Sequence, residues 1–332
     1  MRVLWVHNFR PDNVAAGTWM FALAEAARRA GVDVDLHATA SLRGAGRLLS
    51  ARQRVTELSV EYDIAHAQFG SACGAATAGA QCRRVMSLRG TEMMGCDTGS
   101  WAYRLHGRAS RWLTRASLAG CDRVLVMSHR MREELARFHG RSRGVEVVPD
   151  GIDLTRFRPL DRRAARQQLG FGHDGRPWVL FASMRADNPV KRPQLARAAF
   201  DRAQLERTDL VLKTLHGVPH EQVPLWMNAA NVLLVTSTRE GWPNVVKEAL
   251  ACNVPFVSTD VSDLARIAEV EPGCVVASAD ASALADGLLH ALDAPHSQSL
   301  WRHVEAMELE RTALRLRSIY ENVLGSRRSL AA

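Results

Sequence analysis

Short apolar runs alternate along this chain with longer stretches in which apolar positions recur every three to four residues. Residues 3–6 (Val-Leu-Trp-Val) read as a buried strand, residues 18–30 carry a helical period stopped by Gly31, and residues 32–38 alternate as a second strand. Strand, helix and parallel strand in that order make a right-handed βαβ unit. Further buried strands are predicted at 64–67, 84–88, 123–127 and 145–148, with helices between them that include 100–119 and 129–139. Such repeated alternation argues for a parallel sheet covered on both faces. The polar stretch from Arg158 and Pro159 to Arg162 breaks the pattern and is the best linker candidate. The alternation then restarts with strand 178–183, helix 194–207, strand 210–214, helix 221–229 and strand 232–236. A last helix is predicted over 301–325, with Val304, Met307, Leu314, Leu316, Ile319 and Val323 apolar. The whole pattern is that of two doubly wound α/β domains in tandem, with a ligand crevice at the C-terminal ends of their strands.

Composition narrows the class. A chain of 332 residues that is 47% hydrophobic can build two cores of ordinary size. No apolar run approaches the roughly 18 residues of a membrane span, and the first strand passes directly to His7, Asn8 and Arg10, too polar for a signal peptide. A cytoplasmic protein is expected, reaching at most the inner face of the membrane. Cysteines at 73, 82, 96, 121, 252 and 274 form no Cys-x-x-Cys or Cys/His cluster, which predicts neither a zinc site nor a disulfide framework.

Charge is uneven. Residues 1–150 hold 21 Arg against 14 acids, while residues 151–332 hold 22 Lys plus Arg against 21 acids, so the excess sits in the first half. Residues 83–143 alone carry 13 Arg against 5 acids, which implies an anionic partner. Arg104, Arg108, Arg111 and Arg115 are spaced to line one face of the 100–119 helix, with Trp101, Leu105 and Trp112 nearby. Such a face either contacts an anionic membrane surface or is simply solvated. The basic region lacks interleaved aromatic platforms, and no nucleic-acid partner is expected.

The most informative segment runs from Glu240 to Glu248, after the apolar run 231–237 and before 249–258. This is a strand, a tight turn, a helix and another strand. With Pro243 at the first helical position, the amides of Asn244, Val245 and Val246 are expected to be free at the helix start, where a phosphate is attracted. Two carboxylates beside a phosphate site repel the ligand unless they accept hydrogen bonds from hydroxyls, and a nucleotide sugar carries both groups. Taken alone, the pair also fits a solvated amphipathic helix. Gly17, between the first strand and the first helix, is a second place where phosphate or sugar could approach backbone. Neither Gly-x-Gly-x-x-Gly nor a P-loop occurs.

In these segments the chain resembles GT-B glycosyltransferases of family 4, a group of retaining, metal-independent enzymes. The resemblance rests on Glu240 and Glu248, on Arg185 with Lys191 six residues on, on Val148-Pro-Asp-Gly-Ile-Asp153 followed by Phe157-Arg-Pro159, and on the ending Ser318-Ile-Tyr-Glu-Asn-Val323. It implies a GT-B fold of two Rossmann-like domains facing a central cleft: an acceptor domain over 1–158, a donor domain over 159–305, and a helix over 306–332 crossing back to the first. It implies that Arg185 and Lys191 grip the donor diphosphate, that Glu240 binds the sugar hydroxyls and Glu248 the ribose, and that the loop holding Val218 meets the nucleobase. Ser87-Leu-Arg89-Gly90-Thr91-Glu92 resembles the family's His-Gly-x-Asp turn, with Arg89 at the His position. Arg89 either binds an anionic group or is structural, and Glu92 either orients the acceptor or is a solvated loop acid. The expected function is transfer of a sugar from a UDP- or GDP-linked donor to a hydroxyl acceptor, lipid-linked or anionic acceptors included, with no metal or other cofactor. The rivals are a sugar-nucleotide epimerase or hydrolase on the same fold and a non-catalytic scaffold binding a nucleotide sugar or a membrane.

Overall fold

The computed structural model describes residues 1–9, 17–39, 45–94, 101–172, 174–183 and 188–325. The chain divides into two compact units, Met1–Gly151 with Leu309–Ala332, and Ile152–Glu308.

The first unit runs β1 (Arg2–His7), α1 (Thr18–Arg29), β2 (Asp33–Ala38), α2 (Ala45–Leu58), β3 (Ile64–Ala67), α3 (Ser71–Thr77), β4 (Arg83–Leu88), α4 (Thr91–Met94), α5 (Trp101–Leu118), β5 (Arg123–Val126), α6 (His129–His139) and β6 (Val145–Val147). Its six strands are all parallel, in the order β2-β1-β3-β4-β5-β6. Helices cover both faces, so central strands are buried: every residue of β3 is buried, His66 included. Local signals fix the helix ends. The Ser128 hydroxyl accepts from the Met131 amide at the start of α6, and Gly140 takes the left-handed conformation that stops it.

The second unit runs α7 (Arg162–Gln168), β7 (Trp178–Ala182), α8 (Pro193–Glu206), β8 (Val211–Leu215), α9 (Val223–Ala229), β9 (Val232–Val235), α10 (Asn244–Ala251), β10 (Phe256–Thr259), α11 (Leu264–Ala268), β11 (Val275–Ala277), α12 (Ala281–Asp293) and α13 (Arg302–Glu305). Its sheet is also parallel, in the order β11-β10-β9-β7-β8. The order reverses between β7 and β9, which opens a crevice at the C-terminal ends of those two strands.

The final helix, α14 (Leu309–Gly325), belongs to the first unit. Leu309, Ala313, Leu316, Ile319, Tyr320 and Val323 recur at helical spacing and share one core with Met20, Leu23, Ala24 and Ala27 of α1. The single helix predicted over 301–325 is interrupted: Ile152 pairs with Glu308, and its amide donates to the Met307 carbonyl (2.9 Å), so the backbone at 307–308 is used for pairing instead of helix. That pairing, with Phe157 buried edge-on to His220, also places residues 152–158 in the second unit, so the breaks fall at 151/152 and 308/309 where the resemblance implied 158/159 and 305/306.

Candidate functional site

The loops after β7 and β9 flank the switch point of the second sheet, and they are stitched together by backbone and side-chain bonds. Thr238 donates its amide to the Val190 carbonyl (2.8 Å), and the Thr236 hydroxyl donates to the Lys191 carbonyl (2.6 Å). Arg192, in the left-handed region at φ 49°, sends its guanidinium to the carbonyls of Thr236 (2.6 Å) and Ser237 (3.0 Å). The Asn188 side chain accepts from the Val190 amide (3.0 Å), which turns the chain just before Lys191. The result is one contact: Lys191 Nζ lies 2.5 Å from Glu240 Oε1, and the Ser237 hydroxyl donates to the same oxygen at 2.7 Å. Both charged side chains remain partly exposed, at 25% and 17%. Arg185 lies outside the described residues.

The helix after Glu240 starts one residue later than expected. Pro243 is its extended cap, and its carbonyl accepts from the amides of Val246 (3.0 Å) and Lys247 (3.2 Å). The Val246 amide is therefore not free, because the first turn tightens onto Pro243. Among the described residues the amides of Asn244 and Val245 have no partner, so two donors and the positive helix end face outward there. Glu248, one turn on, is partly buried, and burial lifts its carboxyl to about 7 against the opposing charges of Lys247, Arg156 and Lys191. Val218 is half-buried in the loop after β8. The Thr238 hydroxyl and the Arg239 Nε are buried without a partner among the described residues.

In the first unit three candidate site residues are engaged by the protein itself, Arg89 in the structural alternative. Arg89 forms an ion pair with Asp150, both side chains being 10% exposed. It also donates from Nε to the Gln68 carbonyl (2.9 Å) and from Nη2 to Gln68 Oε1 (3.0 Å), and it stacks 3.7 Å over the Trp19 ring. Its guanidinium is spent on the protein. Glu92 is neither solvated nor presented to a ligand. It is buried, its pKa is raised by desolvation, and it accepts from the Arg89 backbone amide within the β4–α4 turn. Gly17 sits in the left-handed conformation at φ 83°, and a Cβ there would lie 2.6 Å from the Phe9 ring. The aromatic ring fills the space in which a phosphate or sugar was expected. Behind Arg89, Gln68 leads to a buried chain: His66 Nδ1 meets Tyr320 OH at 2.6 Å, His66 Nε2 meets Ser87 Oγ at 2.8 Å, and Trp5 Nε1 donates to Tyr320 OH at 3.1 Å. Arg104, Arg108, Arg111 and Arg115 are all exposed on α5.

Two family models match this chain, "Glycosyltransferase Family 4" over residues 39–156 and "Glycosyl transferases group 1" over residues 187–294. The chain belongs to glycosyltransferase family 4. Among family relatives it is 31% identical over 211 residues to D-inositol 3-phosphate glycosyltransferase 2 of Catenulispora acidiphila, a match covering 53% of this chain and 49% of that protein. It is 26% identical over 267 residues to a putative teichuronic acid biosynthesis glycosyltransferase, TuaC, of Bacillus subtilis, covering 75% and 65%. The chain thus spans about half the length of the first of these relatives and under two thirds of the second. Sucrose-phosphate synthase of Thermosynechococcus elongatus shares the fold with a TM-score of 0.78 at 18% identity, covering 98% of this chain and all of that one. Anabaena HepE, solved with UDP and glucose, gives a TM-score of 0.66 at 16% identity over the full length of both. These neighbours define the fold as GT-B, two Rossmann-like units each built on a parallel sheet.

For a family 4 chain the sequence reading missed Ser237, Arg192 and Asn188, which hold the Lys191 and Glu240 loops in register. Asn188-Pro189 before Lys191 is a turn signal that pointed to a fixed loop there. Nothing local marks Arg192 or Ser237, whose partners are brought up by the fold.

Proposed function

We propose that this chain transfers a sugar from a nucleoside diphosphate, UDP or GDP, to a hydroxyl acceptor with retention of anomeric configuration and without a metal ion, in polysaccharide or glycolipid biosynthesis. The observation that carries this is the Lys191–Glu240–Ser237 contact at the switch point beside the unpartnered amides of Asn244 and Val245. When the anomeric C–O bond to the diphosphate breaks, negative charge grows on the departing phosphate oxygen. Lys191, the helix start and Arg185 are the groups to meet it. Glu240 accepts hydrogen bonds from hydroxyls of the donor sugar, and Glu248 from those of the ribose. The acceptor oxygen forms the new C–O bond on the face the diphosphate leaves, and its proton passes to that phosphate oxygen, so no protein base is assigned. The names of the relatives, which point to inositol phosphate and teichuronic acid, support a hydroxyl acceptor bearing or adjoining negative charge.

The test is donor turnover by purified protein with a panel of UDP- and GDP-sugars and hydroxyl acceptors, followed by NMR of the product anomer. Glu240→Ala and Lys191→Ala are each expected to lower turnover by about a hundredfold or more, and chelation of divalent ions is expected to leave it unchanged. Wild-type turnover in both variants would sink the site assignment. Interconversion of two sugar nucleotides without an acceptor would identify an epimerase, and tight donor binding without transfer to any acceptor would identify a non-catalytic binding protein.

A further inference from the structure

We propose that the outer face of α5 is a docking surface for an anionic phospholipid bilayer. The inner face is anchored: Thr114, Ser117 and Leu118 are buried, and the Thr114 hydroxyl accepts from the Ser71 amide (2.7 Å) while donating to the Glu92 carbonyl (2.9 Å). The outer face carries large apolar side chains in water, with Trp101 72%, Trp112 68% and Leu105 57% exposed. At about 100° per residue, Trp101, Leu105 and Trp112 fall within an arc of roughly 40°, and Arg104, Arg108, Arg111 and Arg115 within an adjoining arc of roughly 60°. Among the described residues none of these four Arg is paired with a carboxylate. A merely solvated face has no use for a tryptophan stripe, and like charges one turn apart repel unless counter-charge arrives.

A bilayer surface satisfies both stripes at once. Lipid phosphates take the guanidinium groups, and the indoles settle at the headgroup level, where an apolar body and a polar N–H are both accommodated. The segregation of the stripes selects this occupant over nucleic acid, which would need stacking groups set among the cations. Among the described residues no helix is long and apolar enough to cross a membrane, so α5 lies on the surface. This assignment does not depend on the donor-site reading.

The experiment is co-sedimentation of the full chain with phosphatidylcholine vesicles and with vesicles containing about one third phosphatidylglycerol, at low and high salt. Binding to the anionic vesicles, weak binding to the neutral ones and release by salt are expected. The pairs Arg108→Glu with Arg115→Glu and Trp101→Ser with Trp112→Ser should each lower partitioning by about tenfold or more, with melting temperature and calorimetric affinity for UDP or GDP, whichever the wild type binds, unchanged. Equal partitioning to neutral vesicles, unchanged partitioning of both double variants, or binding of RNA but not vesicles would overturn the proposal. Absence of both UDP and GDP binding by the wild type would count against the donor site alone.

Discussion

Glu248 keeps its proton to about neutral pH because burial outweighs three nearby cations. Its folded pKa lies above the ordinary 4.5, so its stabilising contribution is complete below 4.5 and is lost as the pH rises through about 7. Glu248→Gln, which cannot ionise, is therefore expected to raise the melting temperature near about pH 8 and to change it little near about pH 4. Thermal melts across that range check the sign. Arg89 is the opposite case, a charge fully matched. Arg89→Met breaks the buried ion pair with Asp150 and is expected to cost about 3–5 kcal/mol in chemical denaturation. Arg89→Lys should recover only part, since an ammonium cannot reach Asp150 and both Gln68 oxygens while lying flat on Trp19. Residue type announced a departure at Arg89. It could not announce Asp150, which lies 61 positions away.

At the scale of elements, strand and helix positions were legible because period and breaker residues are local properties. The strand over 64–67 and the helix over 129–139 have the bounds the pattern predicts. The loops were less legible, since their shape is set by what they bond to across the sheet edge. Arg192 is an example. Its guanidinium holds the Lys191 loop to the carbonyls of Thr236 and Ser237. As a positioning residue, Arg192→Ala is expected to weaken donor affinity and turnover by about tenfold, because a displacement near 1 Å at the charge-bearing group is costly. Calorimetric binding of UDP and GDP, set beside the melting temperature, separates this from general destabilisation. The start of α10 carries the same lesson. Pro243 pointed to a helix start in sequence, but only the backbone shows that it caps the helix and that its carbonyl takes the Val246 amide.

At the scale of the whole molecule, the end of the chain completes the core at its beginning. Residues 309–323 supply one wall of the hydrophobic cluster around α1, and Tyr320 accepts from the buried Trp5 indole. Residues 1–151 alone are therefore expected to remain unfolded until a peptide of residues 309–325 is added, as read by circular dichroism. Tyr320→Phe in the full chain should cost about 1–3 kcal/mol, because the Trp5 N–H is left buried without a partner. The sequence by itself determined the alternation of strands and helices and the two parallel sheets, because periodicity and turn chemistry are written in neighbouring residues. Only the tertiary structure decided that Arg89 is spent on Asp150 and Gln68, that Lys191 meets Glu240, and that Phe9 takes the space beside Gly17. Each of those outcomes depends on a partner from another element, which the folded chain alone brings within bonding distance.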